Sequence, residues 1–147
     1  MLLISLFGLG LAAPLAAQSR GQQTPRLTPA QQAEQAEQEK QLRAFAERGD
    51  TDAQFELGLR FLTGEGLNKD EKQGIEWLEK AAAAGHLRAQ YVYGSLFEDG
   101  VTVEKDHAKA FEWFMKAAEG GFVMAQHSVA VAYELGQGVT ADKKLAA

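Results

Sequence analysis

Apolar side chains recur along most of the chain at the spacing of one face of an α-helix, and the pattern itself repeats. Ala53, Leu57 and Phe61 follow one another at intervals of four residues, which places them on one stripe of a helix. The same stripe returns twice at steps of 36 residues: Ala89, Tyr93 and Phe97, then Ala125, Val129 and Tyr133. A fixed period of this kind predicts a stacked array of similar units.

Glycines divide each unit into two helices, A and B. One glycine per unit is expected to take the left-handed conformation that ends helix A, and an aspartate six residues later to cap helix B. These residues are Gly64 and Asp70, Gly100 and Asp106, and Gly136 and Asp142. The predicted helices are A at 52–63, 88–99 and 124–135, and B at 70–84, 106–119 and from 142 onward. The predicted fold is all-α, an α-solenoid of antiparallel helix pairs.

The large and the small residues that repeat predict how the helices pack. Gly58 and Gly94 each cost about 1 kcal/mol inside a helix, which is tolerable if a neighbouring helix approaches too closely for a Cβ. Trp113→Ala is expected to cost about 3–5 kcal/mol if the indole is buried. The aromatic residues at fixed repeat positions are all predicted to lie in the core: Phe61, Trp77, Phe97, Trp113 and Tyr133.

A segment rich in Gln, Glu and Ala precedes the array. Residues 30–49 are strong helix formers, Thr28 is placed to cap them, Pro29 suits the first helical position and Gly49 ends the helix. This helix aligns with helix B of a preceding unit, so we expect it to cap the N-terminal end of the array. Residues 18–29 lack apolar periodicity and are interpreted as a flexible linker.

The first 17 residues predict an export signal. They carry no charge, and an apolar run at 2–11 is followed by small residues, which is typical of a signal peptide cleaved near Ala17. The run is shorter than the ~20 residues that span a bilayer. No Lys or Arg precedes it and Leu15 occupies the −3 position, so an uncleaved N-terminal anchor is the alternative. The predicted location is the periplasm or the outside of the cell.

Charge and cysteine content exclude several classes of function. The chain has 15 Lys and Arg against 20 Asp and Glu, a net charge of −5, which argues against a nucleic-acid partner. It has no cysteine, and therefore no disulfide framework, thiol nucleophile or Cys-ligated zinc.

No set of residues in the sequence points to catalysis, a cofactor or a metal. His86, His107 and His127 are 21 and 20 residues apart, a spacing that matches no metal-ligand motif. His86 directly follows a helix-ending glycine, where a side chain is commonly solvated or caps a helix. No serine stands in a nucleophile motif. The chain is therefore not expected to be an enzyme.

The repeated residues resemble the Sel-one-like repeat family, a relative of the tetratricopeptide repeat. In the first unit the resemblance rests on these residues: Ala53-Gln54, Leu57-Gly58, Phe61, Gly64-Glu65-Gly66, Asp70, Trp77, Lys80-Ala81-Ala82 and Gly85. It covers residues 49–147, as units at 50–85, 86–121 and 122–147. The resemblance implies a curved array whose A helices line the concave side and bind a protein or peptide.

The third unit stops at Ala147, one turn into its helix B. A terminal repeat normally needs a polar cap. We therefore expect Val129, Val131 and Tyr133 to stay partly open or to be covered by another molecule, and self-association through this repeat is one way to cover them.

Function is then expected on the helix A side, at positions that the repeat does not dictate. Their mixed apolar and acidic character suits a polypeptide better than an anionic polymer; the alternative is that they pack between units or contact water. The candidate partner-binding residues are Glu56, Leu59, Arg60, Val92, Ser95, Glu98, Ser128, Val131 and Glu134.

The leading hypothesis is an exported protein–protein interaction scaffold that holds a partner polypeptide on its concave face. The alternative is a cell-wall-associated protein that is β-lactamase-like or binds muropeptides, as some exported relatives are described. Those relatives carry paired cysteines in each repeat, which this chain lacks. A third hypothesis is that the array is one segment of a longer multi-repeat protein.

Overall fold

The structure is a computed structural model that describes residues 27–139. The predicted signal segment 1–17, most of the linker 18–29 and the cap Asp142 lie outside the described residues. Within 27–139 the chain forms α-helices and no strand. The helices are α1 (Pro29–Glu47), α2 (Thr51–Thr63), α3 (Glu71–Ala83), α4 (Leu87–Asp99), α5 (His107–Glu119) and α6 (Val123–Leu135).

Local capping residues set the helix ends. Thr28 opens α1 with a capping box, in which its hydroxyl accepts from the Gln31 amide at 3.3 Å and the Gln31 side chain accepts from the Thr28 amide at 2.8 Å. Asp70 and Asp106 accept from the third backbone amide of α3 and α5, each at 3.0 Å, as predicted. Because these aspartates are caps, the two described B helices, α3 and α5, each begin one residue later than expected.

The A helices end where the glycine pattern placed their ends. Gly64, Gly100 and Gly136 follow α2, α4 and α6 with φ of +76°, +68° and +68°. This is the left-handed region, which a side chain with a Cβ rarely adopts. The predicted left-handed turn is confirmed in all three units.

Consecutive helices pack against one another in antiparallel pairs, and glycines permit the closest approach. A Cβ on Gly58 of α2 would lie 2.9 Å from Cγ of Leu78 on α3, and a Cβ on Gly74 would lie 3.0 Å from the Gly58 carbonyl oxygen. A Cβ on Gly94 would lie 2.9 Å from the Phe114 ring. The close approach predicted for the helix A glycines is confirmed.

The core includes two clusters of alanine and leucine side chains, each with one aromatic residue. One cluster fills the junction of α1 and α2: Ala46, Ala53, Leu57 and Phe61. The other joins the first unit to the second: Leu78, Ala81, Ala82, Ala89 and Tyr93. Each helix therefore buries its apolar face against the helices beside it in the chain, as a solenoid requires.

The prediction that five repeated aromatic residues are core residues was too strong. Phe61 is buried, at 4% exposure, whereas Trp77, Phe97, Trp113 and Tyr133 are half-buried. The indole of Trp113 meets the Tyr93 ring edge-on with centroids 5.2 Å apart, and the Lys116 ammonium lies 3.9 Å from the centre of its ring. A large indole extends beyond a two-layer array, so one part packs inward and a lysine covers the rest.

Candidate functional site

Aromatic pairs link each A helix to the start of the next. Phe55 of α2 stacks on His86, which precedes α4, with ring centroids 4.7 Å apart. The equivalent pair one unit later is Tyr91 of α4 and Phe122, which precedes α6, at 5.3 Å. We call the exposed sides of α2, α4 and α6 the A face.

On α2 the predicted binding residues divide into a surface pair and a packing residue. Oε1 of Glu56 accepts from Nε of Arg60 at 2.7 Å, and the two side chains are 47% and 32% exposed. Leu59 is half-buried and packs against the cluster between the first and second units. The charged pair is accessible to a partner, whereas Leu59 mainly holds the units together.

On α4 the predicted binding residues make contacts within the fold. Val92 packs against the same inter-unit cluster. The Ser95 hydroxyl donates to the Tyr91 carbonyl within its own helix at 3.0 Å. Glu98 is half-buried beside His107 and Phe111, at the edge that faces α5. Their roles in binding stay predictions.

On α6, Ser128 and Val131 are half-buried and Glu134 is exposed. Sequence reasoning did not select Met124 and Leu135, which are 55% and 62% exposed on the same helix. Met124 stands at the repeat position that Asp52 and Arg88 occupy in the first two units. The A face thus gains large exposed apolar side chains at α6, beside the carboxylate of Glu134.

A cleft of about 380 Å³ opens between α1 and α2, next to the A face. Three of its lining residues are apolar and three are acidic, and we call the three acidic residues its rim. The lining residues are Leu42, Phe45, Asp50, Asp52, Ala53 and Glu56. Sequence reasoning named Glu56 alone among them as a binding residue. The missed signal was Phe45, a large aromatic residue 36 positions before Ala81, a small residue shared by the later units.

His86 joins the first two units and contacts Asp52, which lines this cleft. Its Nδ1 accepts from the Ala89 amide at 3.0 Å, so the ring proton is assigned to Nε2, which donates to Oδ1 of Asp52 at 2.9 Å. His86 is therefore the N-cap of α4, one of the two roles that the sequence indicated.

Clustered metal ligands and shifted pKa values among the described residues bear on whether the chain has a reactive centre. Residues 27–139 contain no group of three or more His, Asp or Glu side chains arranged to hold a metal ion. The pKa of Asp70 is lowered, first by the Gln73 backbone amide and then by the Gln73 side chain, both of which donate to it. The pKa of Tyr93 is raised, first by burial and then by the charge of Glu79. Asp70 caps a helix and Tyr93 belongs to the core.

None of the helices between residues 27 and 139 combines the length and the apolar character that crossing a bilayer requires.

The stacked helix pairs and their shared face define the class of the protein, an all-α repeat scaffold. A sequence model of the Sel1 repeat matches three consecutive segments, residues 51–86, 87–122 and 123–147. The chain belongs to the Sel1 repeat family. Sel1 repeat proteins are generally protein-interaction modules, and their fold typically serves as a non-enzymatic scaffold.

Solved structures agree with this assignment. A Sel1 repeat protein from Oxalobacter formigenes is 41% identical with a TM-score of 0.71, over 73% of this chain and 80% of that one. A protective antigen of uropathogenic Escherichia coli with the same fold is 41% identical with a TM-score of 0.68; the match covers 71% of this chain and only 22% of the antigen. Comparison with curated proteins gives no match.

A more distant structure shows the fold alone. The cysteine-rich protein B of Helicobacter pylori is 17% identical, with a TM-score of 0.59, over 78% of this chain and 82% of that one. The hypothesis of a β-lactamase-like or muropeptide-binding protein gains no support from a likeness of fold at this level of identity.

Proposed function

We propose that the protein is an exported scaffold that holds a partner polypeptide on the A face. One observation carries the proposal: exposed side chains of the A helices differ from unit to unit at the same repeat position, while the packing residues repeat. Asp52, Arg88 and Met124 occupy the same repeat position and are all exposed. A surface that the repeat does not constrain is free to encode recognition of one partner.

The composition of this surface favours a polypeptide as partner. Acidic groups at α2, a cation at α4 and apolar side chains at α6 offer ion pairs and buried apolar contact along one strip. A polyanion would meet the carboxylates of Asp52, Glu56 and Glu134 and a net charge of −5. A polypeptide supplies charged and apolar side chains together, as protein interfaces require.

Site-specific photo-crosslinking in cells tests the A face. A photoreactive amino acid replaces Arg88, which is exposed on α4, and in a matched variant replaces Lys72, which is exposed on α3. We expect a discrete protein adduct from position 88 and none from position 72. Adducts from position 72 alone, or from neither position, would contradict the proposal.

Export rests on the apolar first 17 residues and is tested separately. Cell fractionation followed by intact-mass measurement is expected to find the protein in the envelope or the medium, with Gln18 as its first residue. A chain that retains Met1 in the membrane fraction would support the uncleaved anchor. Recovery from the cytoplasm alone would contradict export.

A further inference from the structure

The regular packing of the array changes at the junction of α1 and α2. Phe45 of α1 stands at the repeat position that Ala81 holds in α3 and Ala117 holds in α5. Both alanines are fully buried, at 0% exposure, whereas Phe45 is 52% exposed. The phenyl ring of Phe45 lies at the surface instead and forms one wall of the cleft.

Within residues 27–139, α1 has fewer helical neighbours than α3 or α5, and the cleft opens beside it. In the described chain α3 packs against both α2 and α4, whereas α1 packs mainly against α2. The apolar side chains of Leu42, Phe45 and Ala53 consequently border an open volume of about 380 Å³. Exposed aromatic surface beside such a shallow, open depression is a common anchor point for a partner side chain.

Three carboxylates form the rim, and each has one oxygen engaged by a fixed partner. Oδ1 of Asp50 accepts from the Ala53 amide at 2.8 Å, and Oδ1 of Asp52 accepts from His86 at 2.9 Å. Glu56 pairs with Arg60. These contacts orient the carboxylates, while Arg60 is the one permanent cation among their partners, so the rim keeps a net negative charge. The site is therefore electrostatically complementary to a cation.

We propose that this cleft binds a partner segment in which a bulky apolar side chain lies next to a lysine or arginine. The apolar side chain fills the space between Phe45, Leu42 and Ala53, and the cation lies between Asp52 and Glu56. The inference rests on the proposed scaffold function and specifies the chemistry that one end of the surface recognises.

Fluorescence anisotropy with short labelled peptides tests the proposal on the full chain. The probe is Gly-Lys-Leu-Phe-Arg-Gly, and the comparison peptides are Gly-Glu-Leu-Phe-Glu-Gly, with the charge reversed, and Gly-Lys-Ser-Gly-Arg-Gly, without the apolar pair. We expect the probe to bind at least about tenfold more tightly than either comparison peptide, and its affinity to fall as salt is raised. Equal binding of all three peptides would overturn the proposal.

Variants locate the binding. Phe45→Ser and Glu56→Lys are each expected to weaken probe binding by about tenfold, because one removes the wall and the other reverses a rim charge. Glu76→Lys, at an exposed position of α3, makes the same charge change away from the cleft and is expected to leave the affinity unchanged. Circular dichroism checks that each variant is folded, and Glu56→Lys gives the answer if Phe45→Ser does not fold.

The outcomes separate this inference from the scaffold function. Failure of the probe to bind, combined with adducts from position 88, overturns the cleft proposal and leaves the scaffold function standing. Failure of both experiments overturns both. Probe binding that appears only after deletion of residues 18–26, which contain Arg20 and Arg26, would assign the cleft to the chain's own segment and overturn the proposal.

Discussion

The side-chain amide of Gln90 on α4 donates a hydrogen bond to the carbonyl oxygen of Ala82 near the end of α3, over 3.1 Å. The equivalent bonds are made by Gln54 to Ala46 at 3.0 Å and by Gln126 to Ala118 at 3.3 Å. The Ala82 carbonyl lies in the last turn of α3 and also accepts from the Gly85 amide at 3.1 Å, so the glutamine adds a second donor, which comes from the next unit. Each bond therefore ties one unit to the next.

Gln90→Ala is expected to lower the free energy of unfolding by about 1–2 kcal/mol, because Gln90 is buried and its bond crosses the unit junction. Urea denaturation followed by circular dichroism measures the change. Gln126→Ala is the control, since Gln126 is exposed and its bond is longer, and we expect about 0.5 kcal/mol or less. Equal decreases in the free energy of unfolding for the two variants would show that burial does not strengthen the Gln90 bond.

Gly58→Ala is expected to destabilise the protein by about 1–3 kcal/mol despite the better helix propensity of alanine, because the new Cβ meets Leu78 and the Gly74 carbonyl. Ala130 occupies the equivalent position in the third unit, so Ala130→Gly is the reciprocal change and should cost about 1 kcal/mol from propensity alone. Thermal unfolding compares the two. A stabilising effect of Gly58→Ala would contradict the close approach of α2 and α3.

Trp113→Ala is expected to cost about 2–3 kcal/mol, less than a fully buried indole would, because Trp113 is half-buried. Lys116→Ala should cost about 0.5–1 kcal/mol through loss of its contact with the indole. In the double variant the lysine change should cost nothing further, since its partner is gone. Strict additivity in this double-mutant cycle would exclude the cation–π contact.

Asp70 makes stability depend on pH at the acid end. Hydrogen bonds from Gln73 hold the pKa of the folded carboxyl below its ordinary value of 3.8, so the cap stabilises the folded state above that pH. The stabilisation is lost as the pH falls through the folded pKa. Asp70→Asn keeps a capping side chain that does not titrate, and its stability difference from the wild type should shrink on acidification. Urea titrations at several acid pH values measure it; a constant difference would refute the assignment.

Self-association through the third unit, expected from the sequence, stays a prediction that sedimentation velocity can check. On α6, Val123, Met124 and Leu135 are all more than half exposed. Met124→Glu places a charge among them and is expected to shift any dimer toward monomer, whereas Glu134→Gln should not. A wild-type protein that remains monomeric at high concentration would contradict the prediction.

Local chemistry made much of the fold predictable. A left-handed turn needs glycine and a helix N-terminus needs an acceptor. Gly64 and Asp70 therefore predicted the end of α2 and the start of α3 to within one residue. The exact period of 36 residues then carried each assignment into the next unit. Gly58 also indicated a close helix approach, since a glycine inside a helix carries a penalty that packing must offset.

The cleft depended on a comparison between units that the repeat pattern does not suggest. Phe45 is unremarkable as a helical residue, and it forms a wall because its neighbours differ from those of Ala81. Among the binding residues predicted from their variability, only the tertiary contacts distinguish surface residues from packing residues. Glu56 reaches the surface, whereas Leu59 and Val92 pack between units.

The sequence alone determined the helices, their ends, the order of the units and the Sel1 repeat resemblance. These follow from backbone propensity and from a period that becomes visible when the units are compared. Tertiary structure decided how deeply Trp113 is buried, which carbonyl Gln90 reaches and where the array leaves an open apolar site. Those features depend on the distance between two helices, and that distance is set by all the side chains packed between them rather than by any residue on its own.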